Sequence, residues 1–274
     1  MPELPEVETI VQDLRPTLLG RSIVRAELSH VDVLRGVSRP ALLRGLAGTT
    51  IRDMRRRAKH AVLDLGERRL VIQPGMTGSL LVYDRPLTEG EAKYAVLRAT
   101  LDDARLLVYR DVRRIGTLLW LDAKGWARYD GAIGPEPLDG AFTAEALHRA
   151  VGRTRQAIKK GLMDQRLLAG VGNIYANEAL FASRIDPSRP ANRLSAAEFE
   201  ALHQALVRIL LAAVASQGTT LRDYRTGTGD RGNFQFELLA YGREGQPCVR
   251  CGTRLAGTHA IDARITVFCH RCQV

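Results

Sequence analysis

The stretch GAIGPEPLDG, residues 131–140, separates two parts of the chain that have different sequence patterns. Its glycines and prolines interrupt strand and helix periodicity, which is typical of a linker. Short apolar runs precede it, and longer runs of helical period follow it. The 274 residues suffice for two ordinary domains. We therefore predict an N-terminal domain over residues 1–130, a linker over 131–145 and a second region from 146 onward.

The first part is rich in short runs of β-forming residues, punctuated by Gly, Pro and Asp. These runs are Ala61–Leu65, Leu70–Gln73, Leu80–Tyr83, Tyr94–Leu101, Arg105–Tyr109 and Thr117–Leu121. Several strands at such close spacing predict a β-sandwich or a barrel.

A helix is predicted ahead of these strands. Apolar residues repeat at helical spacing at Val7, Ile10, Val11 and Leu14. Pro5 occupies a favoured first-turn position, so the helix should begin there. Taken alone, the opening MPELPEVETI favours an ordinary helix start with a frayed tail.

The second part predicts helices. Ser195 and Glu198 form a capping box, and apolar residues then repeat at helical spacing until Gly218. Another helix is predicted from Asn173 through Ala182. We therefore expect a helical domain over 146–240, followed by a separate C-terminal segment over 241–274.

The charge of the chain indicates a polyanionic partner. Lys and Arg number 40 against 30 Asp and Glu, which gives a net charge of +10 and a pI near 9.9. No apolar run approaches the ~20 residues of a membrane span. The N-terminus lacks the basic and apolar regions of a secretory signal. A cytoplasmic protein without a membrane partner is expected.

All four cysteines lie near the C-terminus, as the pairs Cys248-x2-Cys251 and Cys269-x2-Cys272. This spacing predicts a four-thiolate zinc site. Four sulfurs leave no open position on the metal, so one structural Zn²⁺ is expected. The alternative, two disulfides, is disfavoured in the cytoplasm. Arg264 lies between the pairs, where a hairpin would present it to phosphate.

Four further segments carry weaker signals. The loop before Asn173, Gly170-Val-Gly, could cradle a phosphate or be a plain turn. Lys59 follows three arginines and favours a solvated basic edge over a charged groove. Loops 75–78 and 111–116 present Met and Ile residues that favour a lid on the core; wedges that replace an extruded base are the alternative.

Together these motifs resemble the formamidopyrimidine-DNA glycosylase (Fpg) family, the bacterial 8-oxoguanine DNA glycosylases. The likeness covers essentially the whole chain and consists of MPELPEVET, RRRAKH, GMTGSL, RDVRRIG, GPEPL, GVGNIYANEALF, QGTTLRD, YGREGQPCVRCG and the last cysteine pair. The resemblance implies an α+β fold of two domains. An N-terminal β-sandwich flanked by helices would join a helical helix-two-turn-helix domain that ends in a four-cysteine zinc finger.

The resemblance also implies a chemistry for the N-terminus. Pro2 would become the mature terminus and attack C1′ of the damaged nucleotide as a secondary amine, and Glu3 would move protons to the sugar ring oxygen. An iminium intermediate then permits β- and δ-elimination. Glu6 resembles a supporting carboxylate, and Lys59 resembles the family lysine that contacts phosphate near the lesion.

The remaining roles implied by the resemblance concern double-stranded DNA. Asn173 and Arg264 resemble phosphate clamps, with Lys159 as a lesser candidate. Met76, Arg113 and Ile115 resemble the trio that fills the gap after base extrusion. The loop 222–235 matches the lid over the damaged base.

Two departures from the family pattern stand out. Ile115 replaces a common phenylalanine, which keeps an apolar wedge but loses aromatic stacking, and Gln73-Pro74 replaces His-Leu. Two alternatives stay open. An endonuclease VIII-type glycosylase would prefer oxidised pyrimidines, and a non-catalytic zinc-ribbon DNA-binding protein would not need Pro2. A monomer is expected.

Overall fold

The computed structural model describes all 274 residues, Met1–Val274. The chain forms two compact units, Met1–Asp130 with Ser216–Asn233, and Gly131–Ala215 with Phe234–Val274. The boundaries predicted from the sequence place the loop 222–235 in the helical region. In the structure, Ser216–Asn233 belongs to the first unit because it bonds to the N-terminal helix.

The first unit contains four helices and nine strands. In chain order they are α1 (Leu4–Leu18), β1 (Ile23–Leu28), β2 (Leu34–Arg35), α2 (Arg39–Leu46), β3 (Asp53–Arg57), β4 (His60–Asp64), β5 (Arg68–Gln73), β6 (Gly78–Tyr83), α3 (Glu89–Lys93), β7 (Ala95–Leu101), β8 (Leu106–Asp111), β9 (Thr117–Asp122) and α4 (Ala123–Gly131), which ends at the boundary with the second unit.

These strands form two sheets. One has the order β1-β7-β8-β6, and the other has the order β2-β9-β5-β4-β3. All neighbours are antiparallel except β2 and β9, which are parallel. Residues of both sheets, such as Leu63 and Leu107, share one apolar core with α1. The predicted β-sandwich is therefore present.

Helix α1 covers this core with its apolar stripe. Val7, Ile10 and Leu14 are nearly inaccessible to solvent. Glu3 occupies the N-cap, and Pro5 lies in the first turn, where its missing N–H costs no hydrogen bond. The helix therefore begins where the spacing predicts.

The second unit contains four further helices and a small hairpin. They are α5 (Ala144–Val151), α6 (Ile158–Met163), α7 (Asn173–Ser183), α8 (Ala196–Ala215), β10 (Ala256–Thr258) and β11 (Thr266–Phe268). The predicted capping box of α8 is formed: the Ser195 N–H donates to Glu198 Oε2 at 2.7 Å, and the Glu198 N–H donates to Ser195 Oγ at 3.3 Å. No helix is both long and apolar enough to cross a membrane.

Candidate active site and DNA-binding surfaces

The start of α1 is buried and held by the carboxylate of Glu6. Pro2 and Glu3 are buried at the N-cap. Glu6 Oε2 accepts the Glu3 N–H at 2.8 Å, and Glu6 Oε1 accepts the Thr219 N–H at 2.7 Å. Glu6 therefore fixes the backbone beside Pro2 and ties the segment 216–233 to the same helix.

The segment 216–233 has two further attachments to α1. The Tyr224 hydroxyl lies 3.2 Å from Glu6 O and 3.1 Å from Gln217 O. The Gly227 N–H donates to Asp13 Oδ2 at 2.9 Å. Burial raises the pKa of Asp13, and backbone donors of residues 227 and 228 oppose that rise. The first part of the predicted base-recognition loop, 222–235, is thus hydrogen-bonded to α1.

Four charged side chains named in the sequence analysis act electrostatically on the amino group of Met1, which precedes Pro2. Burial lowers the pKa of the Met1 amino group; Glu3 and Glu6 oppose the shift, and Lys59 and Arg113 add to it. A lowered pKa increases the neutral fraction of the amine, which is its nucleophilic form. The surroundings of Met1 therefore favour a neutral amine over an ammonium at this position.

Lys59 lies in the turn between β3 and β4, where Ala58 takes a left-handed φ of 51°. The residue is only 4% exposed. The preceding arginines are paired, since Arg56 Nε donates to Glu8 at 2.8 Å and Arg57 Nε donates to Asp130 at 2.5 Å. The interpretation of Lys59 as part of a solvated basic edge is wrong, because the residue is buried.

Met76 and Ile115 are 42% and 47% exposed, and Arg113 is also exposed. The interpretation of their loops as lids on the core is therefore wrong. A Cβ on Gly75 would lie 2.7 Å from Gly116 N, so the loops touch through their backbones. The structure brings these three predicted gap-filling residues together on adjoining loops.

In the second unit, Lys159 and Asn173 both bond to the C-terminal hairpin. Lys159 is fully buried, and its Nζ donates to Thr266 Oγ1 at 2.7 Å and to Ile265 O at 3.1 Å. Asn173 Nδ2 donates to Ile265 O at 3.1 Å. Both side chains therefore tether the hairpin to the helices, and their phosphate contacts stay a prediction.

Arg264 lies in the turn of this hairpin. Its side chain is 49% exposed and donates to Asp262 Oδ1 at 2.9 Å. The Arg264 guanidinium is the main cause that lowers the pKa of Asp262 to about 2. This carboxylate therefore stays ionised and holds an exposed cation at the tip of the hairpin.

The four cysteines converge as the sequence predicts. Their sulfur atoms all lie within 4.8 Å of one another, with Cys251 and Cys269 at 3.5 Å and Cys248 and Cys272 at 3.9 Å. A tetrahedral site with Zn–S bonds of about 2.3 Å places its sulfurs about 3.8 Å apart. The four thiols therefore fit a tetrahedral metal ion.

Several supporting residues were not predicted from the sequence. Asn177 Oδ1 accepts the Val267 N–H at 2.7 Å, and Glu178 accepts three successive N–H groups, those of residues 239–241, at 2.8 to 3.0 Å. Asp111 joins the two exposed loops. For each of these residues the sequence shows only a polar side chain within an apolar helix or at the end of a strand. Its hydrogen-bond partners lie far away in the chain, so the sequence does not indicate them.

Family comparisons agree with this arrangement. Residues 1–118 match the formamidopyrimidine-DNA glycosylase N-terminal domain, and residues 133–225 match the formamidopyrimidine-DNA glycosylase H2TH domain. A formamidopyrimidine-DNA glycosylase of Roseiflexus sp. (strain RS-1) is 43% identical over 277 residues and covers 100% of both chains.

Solved structures agree as well. A mutant of the Lactococcus lactis FPG in complex with DNA that contains Fapy-dG has a TM-score of 0.88 and 31% identity, over 99% of each chain. MutM in complex with DNA that contains carbocyclic 8-oxo-G has the same TM-score, identity and coverage.

The β-sandwich, the helical second unit and these matches define an enzyme of the DNA glycosylase class that works in base excision repair. The chain belongs to the formamidopyrimidine-DNA glycosylase family. The predicted α+β fold class and the family resemblance are confirmed.

Proposed function

We propose that this enzyme removes oxidised purines, 8-oxoguanine and formamidopyrimidines, from double-stranded DNA and then cleaves the strand by β,δ-elimination. The observation that carries the proposal is the buried start of α1, where Pro2 adjoins Glu3 and the backbone is fixed by Glu6. The similar proteins bound to DNA with Fapy-dG and carbocyclic 8-oxo-G support this substrate class.

Pro2 is the nucleophile of the proposed reaction. After removal of Met1 its nitrogen is a secondary amine, which forms an iminium with a sugar carbon directly. The nitrogen bonds to C1′ as the bond from C1′ to the base breaks, and the proton that the attacking nitrogen loses goes to the departing base. Pro2 is buried beside Glu3, and a chain-terminal amine titrates far below a lysine ammonium, so an appreciable neutral fraction is available for this attack.

Glu3 is the acid and base of the proposed reaction. It gives a proton to the sugar ring oxygen, which opens the ring and leaves the iminium between C1′ and Pro2. The iminium acidifies the protons on C2′, so that the 3′ phosphate and then the 5′ phosphate leave in turn. Glu6 supports Glu3 by holding its N–H, with no contact to substrate required.

Cationic and amide groups of both units hold the DNA in the proposed complex. Lys59 contacts the phosphate near the lesion, Asn173 and Arg264 clamp phosphates, and Lys159 contributes by holding the hairpin beside them. The net charge of +10 supports such a polyanionic substrate. Chromosomal DNA as substrate places the enzyme at the nucleoid in the bacterial cytoplasm.

Exposed side chains and a loop complete the proposed recognition. Met76, Arg113 and Ile115 enter the gap that the extruded base leaves, with Arg113 facing the orphan cytosine. The loop 222–235 covers the extruded base. Because Ile115 lacks an aromatic ring, its wedge contributes apolar contact without stacking.

A structural Zn²⁺ belongs to the proposed active enzyme. The thiolates of Cys248, Cys251, Cys269 and Cys272 would hold it, and the sulfur geometry fits a tetrahedral ion. When bound, the ion supplies folding free energy to the finger and no catalytic chemistry, since four sulfurs leave no open position.

The substrate and the acid are tested together. Duplexes with 8-oxoguanine opposite cytosine should be cut much faster than duplexes with thymine glycol, and Glu3→Gln should lower 8-oxoguanine excision by roughly 10²- to 10⁴-fold while DNA binding persists. Glu67→Gln, the same charge change at an exposed position, is the control. A preference for thymine glycol would indicate the endonuclease VIII type, and full excision by Glu3→Gln would refute the role of Glu3.

A further inference from the structure

Asp111 is a buried carboxylate that the proposed chemistry does not use. It lies at the end of β8 and is 1% exposed. Its Oδ1 accepts the Thr77 hydroxyl at 2.5 Å, and its Oδ2 accepts the Gly116 N–H at 2.9 Å and the Tyr109 hydroxyl at 3.1 Å. Burying a carboxyl group is costly unless hydrogen-bond partners surround it, and these three donors come from different segments, which the group therefore holds in one arrangement.

The Thr77 hydroxyl extends this network to the second loop. It donates to Asp111 and accepts the Arg113 N–H at 3.1 Å. Met76 adjoins Thr77 in the chain, and Ile115 adjoins Gly116. A single carboxylate therefore fixes the backbone at, or next to, each of the three residues proposed to fill the gap in DNA.

Glycines allow the close packing that the network requires. Gly75 has a φ of 71°, and a Cβ there would lie 2.7 Å from Gly116 N. A Cβ on Gly116 would lie 2.0 Å from the Tyr109 hydroxyl oxygen. The two loops and Tyr109 therefore leave no room for larger residues, and the loop backbones are fixed against each other.

The proposed wedge side chains differ in solvent exposure from the residues that hold their loops. Met76 and Ile115 are exposed, whereas Asp111 and Tyr109 are buried. Apolar side chains on a fixed backbone lose less conformational freedom when they enter a DNA stack than they would on a mobile loop. Loops that are fixed in this way are suited to insert Met76 and Ile115 into a DNA stack.

We propose that Asp111, acting through Thr77 and Gly116, is a positioning residue that orients the two wedge loops for base extrusion. This inference rests on the proposed function, in which those loops fill the gap. It assigns Asp111 to the extrusion step and not to bond breaking at Pro2. Loss of the network should slow the removal of a stacked base far more than reaction with a preformed abasic site.

The test compares Asp111→Asn and Thr77→Val with Thr77→Ser, which keeps the hydroxyl, and with Asp84→Asn, an exposed carboxylate of the same unit. Single-turnover excision of 8-oxoguanine should fall by about 10- to 100-fold in the first two variants and stay near wild type in the others. Borohydride trapping on abasic DNA should change by less than about threefold. The fluorescence of 2-aminopurine beside the lesion should rise more slowly in the impaired variants.

Two results would overturn the inference. Excision by Asp111→Asn and Thr77→Val could equal that of wild type, or excision and abasic trapping could fall in parallel with lowered thermal stability, which would mean a purely structural role. Failure of the wild-type enzyme to trap abasic DNA would instead defeat the proposed function. The two failures are therefore distinguishable.

Discussion

The start of α1 with the two exposed loops, and the C-terminal finger, are held in place by different contacts. The first rest on a large apolar core shared by two sheets and α1, with buried carboxylates such as Glu6 and Asp111 fixing backbone N–H groups. The finger core is small, and cationic side chains such as Lys159 and Arg250 donate to backbone carbonyls there. The first region is therefore expected to keep its shape without metal, and the finger is not.

Loss of one cysteine of the proposed zinc site should produce the largest difference in folding between the two regions. Cys248→Ser should abolish stoichiometric zinc and unfold the finger, because the apparent metal-binding free energy of small zinc fingers is about 10 to 16 kcal/mol. DNA affinity should fall with zinc content. Hydrogen exchange should rise in β10 and β11 and stay slow in β4 and β5. Fast exchange throughout both sheets of the first unit would show that this region also depends on the metal ion.

Acid should destabilise the N-terminal unit through His60. Burial lowers the pKa of His60 from 6.5 to about 4. The unfolded chain therefore binds this proton first, and stability present above pH 6.5 is lost as the pH falls towards 4, by up to roughly 3 kcal/mol. Urea unfolding at several pH values should show a smaller loss in His60→Gln than in wild type. Identical pH profiles for the two proteins would contradict the assignment.

The smallest effect is expected from two neighbouring lysines, which test how the hairpin is held against the helices of the second unit. Lys159 is buried against the hairpin, and Lys160 is exposed. Lys159→Met should destabilise the docked finger by about 1 to 3 kcal/mol, since hydrogen bonds from a charged donor are lost, whereas Lys160→Met should have little effect. Local hydrogen exchange of β11 measures the difference. Equal effects of both substitutions would show that the tether is unimportant.

Much of the fold could be predicted from local sequence. The strand runs, the start of α1 and the capping box of α8 are each encoded within a few residues, and the cysteine spacing alone predicts the metal site. Local patterns succeed here because periodicity and capping depend on neighbours in the chain.

The supporting contacts of the site could not be predicted in this way. Glu6 bonds to Thr219 across 213 positions of sequence, and Asp111 bonds to Thr77 across 34. Lys159 and Lys160 are chemically identical neighbours, yet only one is buried. The same limit explains why local sequence favours a solvated Lys59 and a core lid at Met76: tertiary packing decides which side of a turn faces solvent.

Borohydride trapping on abasic duplex DNA, followed by peptide mapping, shows which nitrogen attacks C1′. We expect one covalent adduct, on the nitrogen of Pro2, in protein whose intact mass lacks Met1. An adduct on Lys59 or another lysine, or full activity in protein that retains Met1, would contradict it.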